Sequence, residues 1–275
     1  MKPTGIDNVG NTCYLNSALQ VLFFSPQLTN IIMFFKDRFD NGKDSVAKSY
    51  ITVVEQLYSG KKPQVADLMH NFLKEYKYFE NMRMQHDSHE TTMCILDSLY
   101  ESLKGKDNFI STIFDSVFEN IVQCKDCGHK VVNKETARNI CINSTAESVQ
   151  EGIDATFTEE KMDDYKCDMC SEKNCYRKKT HSKHSYIVMI TINMYDNYGR
   201  KAKTTMNIDN TIVINDKKYT LYASVCHHGS ADNGHYTASV KSDNIWYIID
   251  DETVYEVKDQ QNLHLKNAYT LFYKV

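Results

Sequence analysis

The chain has 275 residues, of which 41% are hydrophobic and 25% charged, with a formal net charge of -4. That length can bury a substantial core in one large domain or two lobes, the composition is that of a globular chain rather than a disordered one, and the acidic balance argues against a general nucleic-acid binder. Three prolines and ten glycines leave no Pro/Gly-rich linker, and there is no repeat or low-complexity tract. The opening MKPTGIDNVGN lacks the apolar core of a signal peptide, and apolar runs such as IIMFF at 31–35 are too short to span a bilayer. The expectation is a soluble intracellular protein, cytoplasmic or nuclear, with no membrane contact. Its nine cysteines then serve as thiols and metal ligands rather than disulfides.

The first third reads as helices. After Asn11 and Thr12, CYLNSALQVLFF places Leu15, Leu19, Leu22 and Phe23 on one face, with Pro26 as its stop. Further helices are predicted over 50–58, 65–76 and 87–103, the last ending before Gly105. The pattern changes near Asn108. STIFDSVFENIVQC reads as a strand entering a CxxC turn, KVVNKETARNICI as its returning partner, and 147–156 as a short helix. From Ser185 the chain reads as strands: YIVMITINMY, NTIVI, KYTLYASVCH, GHYTASVK, NIWYIID and NAYTLFYKV. Helices first and strands later predict an α+β protein with an antiparallel sheet, the middle segment being an inserted β module.

Cys124 and Cys127 form CKDC before Gly128, and Cys167 and Cys170 form CDMC. Two such turns supply four soft thiolates, the donor set of a closed, structural tetrahedral zinc site, one ion per chain. The residues between the pairs fit the strands of a zinc ribbon, whose folding the ion would support. Cys175 is close enough to substitute as a ligand, and four buried free cysteines are the plain alternative. Cys94, Cys141 and Cys226 sit among apolar residues and read as core packing. No organic cofactor is expected.

Cys13 falls at a predicted helix N-terminus, where unpaired amides favour thiolate over thiol. His235 follows a glycine near the other end of the chain, and Asp250 follows it by 15 residues, enough for a strand, a turn and a returning strand. A carboxylate beside that imidazole would fix its tautomer. Asn8 could donate to an oxyanion, together with the backbone amide of Cys13. A thiol, an imidazole and a carboxylate are the material of a cysteine hydrolase, although a buried Cys, a satisfied His and a solvated Asp are each common without one.

These segments resemble a known family. NVGNTCYLNSALQ looks like the cysteine box of the ubiquitin-specific proteases, GHYTASVKSDNIWYIIDDETV resembles their histidine box, and QHDSHE at 85–90 is similar to their glutamine-aspartate box. The thiolate pairs and the ending AYTLFYKV fit as well. The resemblance covers nearly the whole chain and implies a papain-like thiol isopeptidase that cleaves after the C-terminal Gly-Gly of ubiquitin. It implies a helical thumb (1–107), zinc-ribbon fingers with adjoining palm elements (108–184) and an antiparallel-sheet palm (185–275) within one catalytic domain. By motif position Cys13 is the nucleophile, His235 the base and then acid, Asp250 the orienting acid with Asp251 as the alternative, and Asn8 the oxyanion donor. Gln85, Asp87 and Glu90 fall in the substrate-binding box, whose acids meet the basic tail of ubiquitin, and Tyr236 matches an aromatic lining the tail channel. Partners would be ubiquitin and ubiquitinated proteins, with the enzyme a monomer. Two departures stand out: Thr91 replaces an aromatic or aliphatic residue, and ITINMYD at 190–196 replaces a basic palm stretch.

His89-Glu90 begins a HExxH-like string, but position 93 is Met, so the second zinc ligand is missing. His227 and His228 could bind metal, though they lead into HGSADNGH, which resembles the loop before the catalytic histidine. A ubiquitin-binding module without activity is the other rival. The basic stretch KNCYRKKTHSKH at 173–184 reads as a solvated strand rather than a nucleic-acid contact.

Overall fold

The structure is a computed structural model that describes residues 2–39, 45–79, 84–103, 108–195, 201, 206–230, 234–258, 263 and 265–275. The helix stop at Gly105, the 107/108 border, Asp196 and the centre of the loop before His235 lie outside the described residues.

The helical half begins with α1 (Cys13–Phe23), in which every residue is buried. α1 lies between β9 (Gly234–Ser242) and α5 (Ser88–Glu101), and its buried polar side chains Asn16, Ser17 and Gln20 each donate a hydrogen bond inside the protein. Pro26 does end α1, but it also occupies the first turn of α2 (Pro26–Phe35), where its missing N–H costs nothing. The sequence reading had taken this helix only as an apolar run. α3 (Val46–Tyr58) and α4 (Ala66–Glu75) match their predictions within a few residues, and α5 starts on the side-chain cap of Asp87, whose carboxylate accepts Glu90 N–H at 2.8 Å.

The middle segment differs from expectation at two points. STIF is helical, forming the end of α6 (Phe109–Phe114) under the cap of Asn108. KVVNKETARNICI is two strands rather than one. β2 (Lys130–Ala137) returns antiparallel along β1 (Ser116–Cys124), and β3 (Asn139–Asn143) crosses to the large sheet and pairs parallel with β6 (Ile187–Asn193). Arg138 lies at the break. Its side chain is 9% exposed and donates to Asp115 at 2.7 Å and to Asp97 of α5. This charged clamp anchors the small sheet to the helical half. After α7 (Val149–Phe157), β4 (Glu160–Lys161) and β5 (Cys175–Lys183) complete a four-stranded sheet in the order β2-β1-β5-β4.

The large sheet runs β11-β10-β9-β8-β12-β6-β3, with β7 (Thr211–Ile214) paired to β8 (Lys217–Gly229). β10 (Ile245–Asp250), β11 (Thr253–Val257) and β12 (Ala268–Lys274) close it, all antiparallel except β3. One face packs on the helices through Ala223, Val225, Ala238 and Val240, and the other holds a second core with Val149 and Ile153 of α7. No single helix among the described residues is long and apolar enough to cross a membrane; α1 and residues 26–38 pass that test only as a pair bent by 79°.

Candidate active site

Cys13 opens α1, and the turn leading into it has Gly10 and Asn11 at φ 116° and 51°. Asn8 holds that turn, since its Oδ1 accepts Gly10 N–H at 3.0 Å and Thr12 N–H at 3.2 Å. Its amide end points the other way and donates to Asp251 Oδ2 at 2.7 Å. The Cys13 side chain is buried, and burial pushes the thiol above its ordinary range. The backbone amide of Tyr236 opposes that shift and the charge of Asp251 adds to it. The amides at the helix end, which favour the thiolate, are thus opposed by the cost of desolvating the anion in the substrate-free protein.

Histidine and aspartate come from the sheet. β9 and β10 are adjacent antiparallel strands, as the 15-residue spacing required, and His235 Nε2 lies 2.6 Å from Asp250 Oδ1. Asp251 Oδ2 is 4.0 Å from the same nitrogen. The two neighbours diverge because Asp251 occupies the β10–β11 turn at φ 48°, a conformation Asp tolerates better than most residues. There it is almost fully buried and accepts Asn16 Nδ2 at 2.8 Å on Oδ1 and Asn8 on Oδ2. With Nε2 engaged by Asp250, Nδ1 is the imidazole nitrogen left to exchange a proton with a thiol. The next residue, Tyr236, presents its amide to Cys13, which ties β9 to the start of α1.

Two glycines make this assembly possible. A Cβ on Gly5 would lie 2.2 Å from the Glu252 carbonyl oxygen, and Ile6 N–H donates to Asp251 O at 2.9 Å, so the N-terminal segment lies directly on the β10–β11 turn. A Cβ on Gly234 would lie 2.1 Å from His227 Nε2.

The glutamine-aspartate box is held by the protein itself. Gln85 grips the backbone of Gly234 with both ends of its amide, Nε2 to the carbonyl at 2.6 Å and Oε1 from the N–H at 2.7 Å. Asp87 caps α5 and accepts the Tyr269 hydroxyl at 2.5 Å. Tyr236 is 7% exposed and packs against His227 and Tyr269, so its ring belongs to the core rather than an open channel. Glu90 is the exposed acid of the box, its carboxyl raised by partial burial and by the charge of Asp87. Thr91 is fully buried with its hydroxyl on Asp87 O at 2.8 Å, which satisfies the polar group at this departure from the family pattern. His89 faces Thr191 Oγ1 at 3.4 Å, His227 the Tyr195 hydroxyl at 2.7 Å and His228 Thr237 Oγ1 at 3.3 Å. Sequence reasoning missed Asn16. Its signal was present: an amide three residues after Cys13, one of the few polar side chains on a mostly apolar helix.

Cys124, Cys127, Cys167 and Cys170 place their sulfurs within 4.8 Å of one another, with Cys124–Cys170 and Cys127–Cys167 both at 3.6 Å. This four-cysteine cluster could hold a metal ion. Cys175 lies opposite Cys124 on β5, buried beside the cluster but outside the set. Cys226 is buried as expected and Cys94 partly so, whereas Cys141 is exposed on β3, which corrects its reading as core.

A cysteine on the first turn of a buried helix, packed against the antiparallel strand that carries the histidine of a histidine–aspartate pair, belongs to a papain-like cysteine-protease fold, here with a β module carrying a zinc-ribbon-like cysteine set. The profile of the family described as ubiquitin carboxyl-terminal hydrolase matches residues 4–273. The chain belongs to that family. It is 25% identical over 296 residues to the probable ubiquitin carboxyl-terminal hydrolase 8 of Schizosaccharomyces pombe, covering 98% of this chain and 64% of that protein. It is 27% identical over 304 residues to ubiquitin carboxyl-terminal hydrolase 23 of Arabidopsis thaliana, covering 98% and 35%. The chain thus spans less than two thirds of either relative. Among solved structures, the SAGA Ubp8/Sgf11/Sus1/Sgf73 DUB module bound to ubiquitin aldehyde has a TM-score of 0.85 at 19% identity, covering 99% of this chain and 69% of that one.

Proposed function

We propose that the chain is a thiol-dependent deubiquitinase, hydrolysing the isopeptide or peptide bond after the C-terminal Gly-Gly of ubiquitin in conjugates or chains. The observation that carries this reading is the His235–Asp250 pair at 2.6 Å on the strand whose next amide meets Cys13. Cys13 gives its proton to His235 Nδ1, and the thiolate attacks the terminal glycine carbonyl. The oxyanion receives the second hydrogen of the Asn8 amide and the Cys13 N–H. As the C–N bond breaks, imidazolium His235 protonates the leaving amine. His235 then takes a proton from water, hydroxide attacks the thioester, and Cys13 leaves with ubiquitin's carboxylate released. Asp250 orients the imidazole, and Asp251 holds Asn8 in place from behind.

Within this reading Glu90 offers its charge to ubiquitin's basic tail, while Gln85, Asp87 and Tyr236 act as positioning residues for β9 and α5. Residues 1–107 form the thumb, 108–184 the fingers with adjoining palm elements and 185–275 the palm; the departure of β3 to the large sheet supports placing palm elements within the middle segment. Zinc is the ion for the four cysteines. Their 3.6 Å sulfur pairs compare with an edge of about 3.8 Å for a tetrahedron with a Zn–S distance of about 2.3 Å. Its role is to hold the two CxxC turns together. The protein acts as a monomer on ubiquitin and ubiquitinated proteins.

The test is labelling with ubiquitin bearing a C-terminal electrophile, beside the same warhead on other Gly-Gly modifiers. A single adduct mapping to Cys13 is expected. Folded protein that stays unlabelled, or that labels equally as Cys13→Ala, would overturn the reading.

A further inference from the structure

Outside its own strands the small sheet packs chiefly on α7, and its far end carries the four cysteines. β1 has 9 residues and so runs about 30 Å from its root at Ser116 to that end. β2, at the edge, is exposed along most of its length. Such an arm keeps a fixed angle to the rest of the molecule only if its root is held in more than one direction.

One side of the root is aromatic. Phe118 stacks on His181 and on Phe157 of α7, with ring centres 4.7 and 6.0 Å apart. Stacked rings resist separation but not sliding, because apolar burial has no preferred direction. The other side is polar. The chain enters the arm past Asp115, between α6 and β1, and leaves it at Arg138, between β2 and β3. Arg138 Nε donates to Asp115 Oδ1 at 2.7 Å, and the two side chains are 9% and 10% exposed. Its Nη1 donates to Asp97 of α5, and the guanidinium lies 5.7 Å from the centre of the Tyr100 ring on the same helix. A planar guanidinium committed to two carboxylates on different elements fixes direction as well as distance. The third crossing, after β5, is tied beside it, with Ser116 Oγ 2.9 Å from Ser185 Oγ.

α5 carries this joint toward the cleft. It packs on α1, which starts at Cys13, and bears Glu90 in its first turn. From Glu90 to Asp97 is about two turns, or about 10 Å along the helix. A small folded domain is about 30 Å across. A modifier whose tail passes Glu90 to reach Cys13 therefore keeps its body outside the cleft and against an arm rooted this close.

We propose that Arg138 is a positioning residue for the globular body of the substrate: through Asp115 and Asp97 it sets the angle between the arm and the helical half, and so governs capture of ubiquitin rather than the chemistry on its tail. This rests on the deubiquitinase reading. Loss of the joint should raise KM for a substrate with a body and leave a tail without one unaffected.

Two fluorogenic substrates with the same leaving group test this on the full chain: ubiquitin, and a short peptide carrying only the Gly-Gly end. With Arg138→Met, kcat/KM on ubiquitin should fall about tenfold through KM, with kcat within about twofold, while kcat/KM on the peptide stays within about twofold. Should the single variant misfold because Asp115 is left buried and unpaired, Arg138→Met/Asp115→Leu removes both charges and takes its place. A folded variant that loses equally on both substrates, or on neither, would overturn the proposal. A natural chain that cleaves neither substrate would overturn the deubiquitinase reading, and the joint is then read directly. Nitroxide-bearing residues in place of Tyr58 and Val132, both exposed, should report one narrow distance in the natural chain and a broad distribution in the Arg138 variant. An unchanged distribution would show that Arg138 does not set the angle.

Discussion

At the scale of single residues, the sequence could place Asp250 and Asp251 side by side but could not assign them, because one peptide bond separates two different jobs. Asp250 is the last residue of β10 and meets His235; Asp251 is the first of the turn and meets Asn8 and Asn16. The difference lies in one positive φ, which no residue type dictates. Asp250→Asn is therefore expected to cost on the order of 10³-fold or more in kcat/KM, the effect of a lost orienting carboxylate. Asp251→Asn and Asn8→Ala should each cost about a hundredfold, the scale of one oxyanion donor. Because Asp251 acts through Asn8, the double variant should be no worse than either single one. Additive losses would show that Asp251 has a separate role. The thiol itself carries a pH prediction. Burial raises the Cys13 pKa, so iodoacetamide alkylation of the substrate-free protein should climb through alkaline pH with a midpoint above the ordinary thiol range. A flat, fast rate at neutral pH would show a preformed thiolate instead.

At the scale of elements, what the sequence made legible was periodicity, and what it concealed was connection. α1, α3, α4, α5 and the strands after Ser185 follow from apolar spacing. α2 was hidden because Pro26 is equally a stop and a first-turn residue. β3 was hidden because nothing in NICI distinguishes a strand that continues a hairpin from one that leaves it for another sheet. The four cysteines were legible at once, since paired CxxC turns leave few other uses. Their energetic weight follows from the small sheet they terminate, where β2 is mostly exposed and the buried cluster at its tip, among the described residues, is Cys124, Cys167 and Cys175. Elemental analysis should return one zinc per chain, and Cys167→Ser should abolish it. Amide exchange should then rise across residues 116–183 while α1 and α5 stay protected; unchanged exchange in a metal-free variant would mean the sheet holds without the ion.

At the scale of the whole molecule, two imidazoles join parts that the sequence kept apart. His181, at the end of β5, is 4% exposed between Phe118 and His184, and neither of its ring nitrogens has a hydrogen-bond partner. His227 is equally buried, between Tyr195 and Tyr236 beneath the strand of His235. Burial lowers both to about 4, helped by the charge of His184 at the first and of Lys201 at the second. An unfolded histidine titrates near 6.5. Between about 4 and 6.5 the unfolded chain therefore binds protons that the native one refuses, so native stability is complete above that window and falls as pH drops through it. Each ring contributes up to about 1.4 kcal/mol per pH unit there. Urea midpoints should consequently fall steeply from pH 7 to pH 5. His181→Phe, which keeps a ring against Phe118 and removes the titrating group, should flatten part of that slope without lowering the midpoint at pH 7. A slope identical to that of the natural chain would place the acid sensitivity in the carboxylates rather than at the junction of the two sheets.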